Sequence, residues 1–317
     1  MSIFHDLRDD YLKRLCIDKV LGLRKGVLNI ADVSSESSKA IAANMVGQLT
    51  ERLGCTVEES LFPGQTLGTA FAGYTKDYLD SSFSRLRHIR PGDWFMSTSQ
   101  SIRGIGAFNQ YAHLVEIQQL LADHRNLKTA LGSDDLITPD IVIGRRPVED
   151  VELNSSEQLL DPSESTSRRS PLRKSNTAPQ HSPMLHASIS CKWTMRSDRS
   201  QNTRTEALNL IRNRKGNTPH IVVVTFEPLP TRVASIALGA GDVDCTDHAA
   251  LDELIEAARE TGRTDQLELL QDLINGQRLR DISDLPLDLA VSATDRRSLH
   301  RLTTREKQAF RDGRSSR

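Results

Sequence analysis

Along the first part of the chain, apolar residues recur at helical spacing. Residues 6–16 form a short helix candidate. Ser35 is placed to cap a helix over Glu36–Leu53, where Ile41, Ala42, Met45, Val46 and Leu49 share a face and Gly54 supplies the stop. Pro63-Gly64-Gln65 reads as a turn before a helix over 67–86, and Arg90-Pro91-Gly92-Asp93 as another turn. Tyr111, Leu114, Ile117, Leu120 and Leu121 mark a helix over 107–124. The pattern then changes. Residues 137–143 and 185–193 read as strands, and 220–226 is a continuous run rich in β-branched residues, as expected for a strand covered on both faces. Residues 233–238 are expected as a fourth strand, and helices return over 248–260 and 265–275. Helices before, between and after such strands predict an α/β sandwich rather than a β-barrel.

Two segments lack apolar periodicity. Residues 155–183 are rich in Ser, Pro, Arg and Gln and are expected as an exposed insertion between two sheet strands. Residues 292–317 are polar and basic and are expected as a solvated, disordered tail, leaving 1–291 as a single domain. There is no internal repeat.

With 317 residues, 37% hydrophobic and 26% charged, the chain can bury a sizeable core. No apolar run approaches a membrane span, and the start of the sequence lacks a basic-then-apolar leader. Cys16, Cys55, Cys191 and Cys245 are scattered without paired spacing, which fits neither a zinc site nor a disulfide framework and suits a reducing cytoplasm. A net charge of −1 argues against a protein that coats nucleic acid by bulk attraction. It does not exclude a specific reader, because charge is concentrated locally. Lys192, Arg196, Arg199, Arg204, Arg212, Arg214 and Lys215 face only Asp198 and Glu206 within one segment.

That segment carries the chemistry. Period-two alternation puts Ala187, Ile189 and Cys191 on one strand face and Ser188, Ser190 and Lys192 on the other. Glu206 follows Lys192 by fourteen residues, a spacing read as a short connection plus one helical turn. Upstream, Pro139-Asp140 opens another strand. Two carboxylates and a lysine at one sheet edge suit a divalent-metal phosphodiester site. The ion offsets charge in the transition state, and the lysine orients or deprotonates the attacking water. A strict acidic-x-Lys is absent, since Ser190 fills the acidic position, and Glu206 is the alternative acid. Arginine donates two hydrogen bonds to guanine and aspartate accepts from cytosine, so Arg196-Ser197-Asp198-Arg199 can read adjacent G·C pairs. The duller reading of that quartet is a local surface ion pair. No His-Asn-His motif, phosphate-binding Gly-Lys-Ser/Thr loop or His-Glu-x-x-His motif is present, and Gly239-Ala240-Gly241 is too short for a dinucleotide fingerprint.

Residues 185–199, 208–216 and 281–291, with Pro63-Gly64-Gln65-Thr66 and residues 88–94, resemble the NgoMIV-type type II restriction endonucleases. The similarity runs from about residue 5 to Val291, with a longer insertion after about 155 and an additional tail. The resemblance implies an α/β fold with a PD-(D/E)XK restriction-endonuclease-like core, a mixed central sheet flanked by helices, in which the second acid has migrated onto a helix. It implies Asp140 and Glu206 as Mg²⁺ ligands, Lys192 as the catalytic lysine and Ser190 in the usual acid's place. Arg196, Asp198 and Arg199 would contact a central CCGG, and the flanking G·C pair would fall to Gln65 and Arg232 with Asp32. The implied target is double-stranded GCCGGC, cut to leave 5′ CCGG overhangs. The implied enzyme is a homotetramer (a dimer of dimers) in the bacterial cytoplasm, beside a cognate DNA methyltransferase. One departure stands out: the family places an active-site glutamate where this chain has Ala72, with Asp77 the next carboxylate along. The alternative expectation is therefore a homologue that binds its site but cleaves weakly or not at all.

Overall fold

Local capping chemistry starts the first two long helices. The Ser2 hydroxyl accepts from the His5 N–H at 3.4 Å at the head of α1 (Ile3–Ile17). Ser35 accepts from the Ser38 N–H at 3.2 Å at the head of α2 (Glu36–Leu53), which ends at Gly54 with φ at 61°. In the computed structural model, residues 2–60, 62–98, 104–123, 137–161, 163–174, 182–195, 197–239 and 241–291 are described. A small hairpin, β1 (Leu23–Arg24) and β2 (Val27–Leu28), lies between α1 and α2. Then follow α3 (Gly64–Phe83), β3 (Trp94–Thr98), α4 (Ala112–Asp123), β4 (Ile141–Arg145) and the single turn α5 (Asp150–Leu153). The chain continues with β5 (Met184–Lys192), α6 (Ser197–Asn213), β6 (His220–Thr225) and α7 (Pro230–Ala237). Next come β7 (Cys245–His248), α8 (Leu251–Glu260), α9 (Thr264–Asn275), β8 (Leu279–Asp281) and α10 (Leu285–Ala290).

Six strands lie side by side in the order β3-β4-β5-β6-β7-β8. The first three are antiparallel neighbours, and β5 to β8 run parallel, so the sheet is mixed and helices flank it as expected. On one face Ile143, Ile189 and Val222 pack with Leu12, Met45, Phe71 and Leu254 from the helices. On the other, Val142 and Val223 pack with Tyr111, Leu210 and Ile236. Every residue of β6 is buried, which explains its unbroken apolar run. The register of β4 against β5 shifts between Ile143 and Gly144. Leu185 consequently joins the second cluster, while Ala187, Ile189 and Cys191 join the first. Ser190 and Lys192 are left on the opposite face, as alternation predicts.

The segment 233–238 is not a strand. It belongs to α7, where Pro230 presets the first helical turn and Val233, Ala234, Ile236 and Ala237 recur at helical spacing on a buried face. The additional strands are β3, β7 and β8, which are short; buried Cys-Thr-Asp-His in β7 carries no apolar pattern. The helix expected over 107–124 begins only at Ala112, after a 3-10 turn over Ile105–Ala107. His124 and residues 292–317 lie outside the described residues. The described part of the insertion is mostly exposed turns, but its base is tied down. Arg173 donates to both Asp150 carboxylate oxygens at 2.6 Å and forms a β-bridge with Val148.

A buried charge network joins the N-terminal helix to the far edge of the sheet. Arg8 of α1 donates to Glu253 of α8 at 3.1 and 2.8 Å and to Asp281 of β8 at 2.9 and 2.8 Å. Burial pushes the Glu253 carboxyl up, but Arg8 and Arg52 outweigh it and hold the group below its ordinary range. Because that carboxyl is depressed, the network's stabilisation is present at neutral pH and is lost as pH falls through the folded value. Arg8→Met strips both acids of their principal cation. Denaturant unfolding at neutral pH is expected to show a loss of about 3–5 kcal/mol. That loss should shrink in acid as the stranded carboxyls take up protons. Equal stability of mutant and wild type at neutral pH would remove the network from the account.

Candidate active site

The end of β5 brings four predicted residues into one neighbourhood. Ile141 pairs with Ile189 across the antiparallel β4–β5 ladder, so Asp140, one residue earlier, lies level with Ser190. Asp140 Oδ2 accepts from the Cys191 backbone N–H at 2.8 Å and from Lys192 Nζ at 3.4 Å. The acid that precedes one strand is thus held by the backbone of the strand bearing the lysine. The Lys192 and Asp140 side chains remain 19% and 34% exposed, so the pair opens to solvent and can be reached by a substrate.

Glu206 arrives from α6. That helix begins at Ser197, so Glu206 lies about two and a half turns in, and the spacing reading of a single turn is corrected. Ala207 and Leu210 pack with Met195 and Val223 in the second apolar cluster, laying α6 across the face that carries Ser190 and Lys192. Burial pushes the Glu206 carboxyl up, the charge of Lys192 opposes this, and Asp140 adds to it. All three groups therefore share one electrostatic neighbourhood.

The Ser190 hydroxyl is buried and has no hydrogen-bond partner among the described residues. An unsatisfied oxygen beside two carboxylates suits a hard divalent cation or the water bound to it. Among the described residues no group of three or more His, Cys, Asp or Glu is placed to hold a metal ion. An ion here would rest on Asp140 and Glu206 and complete its shell from other oxygens. Ala72 is 4% exposed, within the first apolar cluster, which also holds Cys191 and Trp193 from the end of β5. Asp77 is on the surface, 3.6 Å from Arg14 and 3.5 Å from Lys76.

Beside the strand end runs a groove of about 990 Å³, lined by Lys25, Asn29 and Asp32 on one side and by Thr194, Thr231 and Arg232 on the other. Asp32 and Arg232, expected together from the resemblance, form an ion pair there. Asp32 also accepts from the Ser34 N–H at 2.9 Å and hydroxyl at 2.6 Å. Those two bonds, and then the Arg232 guanidinium, hold its carboxyl well below the usual range. The backbone of Gln65 is in the first turn of α3, and Ser197, Asp198 and Arg199 form the first turn of α6. The side chains of Gln65, Asp198 and Arg199, and all of Arg196, lie outside the described residues.

Periodicity gave no sign of Glu227. This fully buried acid accepts from the Met195 N–H at 2.7 Å and from the Leu229 N–H at 3.1 Å. Burial pushes its carboxyl up to about 7, with the two N–H bonds pulling the other way. The available sequence signal is an acid just after a wholly buried strand and before Pro228-Leu229-Pro230.

The model of the NgoMIV restriction enzyme family matches residues 11–291. Type II restriction enzyme NgoMIV of Neisseria gonorrhoeae is 46% identical over 292 residues, covering 91% of this chain and 99% of that protein. A solved restriction endonuclease PspGI–substrate DNA complex is 14% identical and covers 91% of this chain and 92% of that chain. Its TM-score of 0.29 is too low to carry an argument. On the family match and the extent of the identity, the chain belongs to the NgoMIV restriction enzyme family and is a restriction endonuclease.

Proposed function

We propose that the protein is a Mg²⁺-dependent type II endonuclease that cuts double-stranded GCCGGC and leaves 5′ CCGG overhangs. The observation that supports this most is the Asp140 carboxylate bonded to both Cys191 N–H and Lys192 Nζ, with Glu206 in the same electrostatic neighbourhood. Asp140 and Glu206 would hold Mg²⁺, which supplies Lewis-acid charge at the scissile phosphate and lowers the pKa of a bound water. Lys192, steered by Asp140 at the mouth of the cleft, orients the attacking water and adds positive charge where the phosphate becomes more negative. The Ser190 hydroxyl, without a partner among the described residues, offers a further hydrogen bond to a water or phosphate oxygen.

In this reading Arg196, Asp198 and Arg199 contact the central CCGG, the last two from the first turn of α6. Gln65 and Arg232, with Asp32, contact the flanking G·C pair. Support comes from the groove that runs between Thr194 and Arg232, immediately beyond Lys192. Residues 1–291 act as one endonuclease domain, and 292–317 as a basic tail. The working form is a homotetramer engaging two copies of its site. It resides in the bacterial cytoplasm with a cognate methyltransferase that protects host DNA. Among the described residues, no helix is long and apolar enough to cross a membrane.

Lys192→Ala and Asp140→Ala are expected to abolish cleavage in Mg²⁺ while preserving specific binding, since neither side chain needs to touch a base edge. A gel shift in Ca²⁺ checks this; loss of specific binding with either change would assign these residues a structural role. Arg199→Ala is expected to lose roughly 1–3 kcal/mol of discrimination at one G·C pair, the worth of a bidentate guanine contact. If the mutant binds CCGG-containing and scrambled duplexes in the wild-type ratio, Arg199 does not read a base.

A further inference from the structure

The two segments assigned to base reading start from different helices, yet one side chain holds the backbone at the entrance to both. Glu227 Oε2 accepts from the N–H of Met195, two residues before α6 begins. Its Oε1 accepts from the N–H of Leu229, the N-cap of α7, whose first turn carries Arg232. Leu229 sits between Pro228 and Pro230, neither of which has an N–H, so this bond is the one backbone donation that stretch can make.

Glu227 is itself fixed to the sheet. Its N–H donates to Thr225 Oγ1 at 3.2 Å, and its carbonyl oxygen lies 3.1 Å from His248 Nε2. A second clasp binds the same two helices: the Ser200 and Ser235 hydroxyls are 2.9 Å apart, and Arg204 donates to the Ser235 carbonyl at 2.7 Å. Thr194, next to the held Met195, and the held Leu229 itself both line the groove. We propose that Glu227 is a positioning residue for sequence recognition, whose carboxylate sets the inner reading segment and Arg232 in register with each other. This rests on the base-contact assignments made under the proposed function.

Two features separate this role from simple packing. A fully buried carboxylate is expensive, and an apolar side chain would fill the volume more cheaply. What the acid supplies is two directional acceptors, and both point at the loops leading into the reading helices rather than at core elements. The charged groups facing it are Arg232 and Asp32 across the groove wall and His248 at the end of β7. Burial lowers His248 to about 4, and Asp32 is held low, so neither changes charge near neutrality. Because Glu227 is raised to about 7, protonation near neutrality replaces one acceptor oxygen with a hydroxyl and releases one of the two loops.

The test uses the full chain and oligonucleotide duplexes that carry GCCGGC, the same site altered at the flanking pair, or the site altered at one inner pair. Glu227→Gln keeps the shape and one acceptor but turns an NH₂ toward the other backbone N–H. The ratio of kcat/KM for the intact site over each altered site is expected to fall about tenfold for both alterations. Binding to a scrambled duplex should stay unchanged. Arg232→Ala should lower the flanking-pair ratio alone. In the unmutated enzyme both ratios should decline as pH is lowered through about 7, because chemistry common to the duplexes cancels, while Glu227→Gln should give flat ratios. A folded Glu227→Gln enzyme with wild-type ratios overturns the positioning role, and so do pH-independent ratios in the unmutated protein. If Arg232→Ala and Arg199→Ala also leave every ratio unchanged, the base-contact assignments themselves fall.

Discussion

Asp140 accepts a hydrogen bond from the backbone of Cys191 and faces the ammonium of the next residue, Lys192. Because Asp140 immediately precedes β4 and Cys191 and Lys192 close β5, that contact depends on the antiparallel register of two neighbouring strands. A one-residue slip would send Ser190 and Lys192 to the opposite face, among Leu12, Met45 and Phe71. Register is held by the wholly buried β6 on the far side of β5 and by apolar clusters on both faces. The core of the protein is therefore what keeps a small set of polar groups aligned at one sheet edge.

The same strand end leads into the segment proposed to recognise the sequence. Only four positions separate Lys192 from α6, whose first turn bears Asp198 and Arg199, proposed to read the central bases, and whose later turns return Glu206 to the carboxylate site. In the proposed reading, cleavage and recognition start from the same strand end, which would link correct docking to correct placement of the phosphate. The groove wall runs from Thr194 to Arg232 and faces the segment between β2 and α2 that carries Asp32.

Much of this arrangement was legible in the sequence where local pattern decides it. Alternation over 187–192 separated the apolar from the polar face of β5 correctly, and the Ser35 and Gly54 signals bounded α2 to the residue. Features set by tertiary context were less legible. Val233 and Ile236 favour strands locally, yet Pro230 and the buried helical face prevail. Buried polar β7 has no periodic signature. Asp32 and Arg232 are separated by 200 positions, so the resemblance, not any spacing, paired them. Glu227 was missed because its partners are backbone amides, which no side-chain pattern records.

The central claim is that this sheet edge performs metal-dependent cleavage at one defined sequence. The most direct measurement is digestion of a plasmid of known sequence by the purified protein, with and without Mg²⁺, followed by sequencing of the cut ends. The account predicts cleavage only with the divalent ion, and ends that all derive from GCCGGC with 5′ CCGG overhangs. Ends drawn from unrelated sequences, or equal cleavage in a chelator, would contradict it.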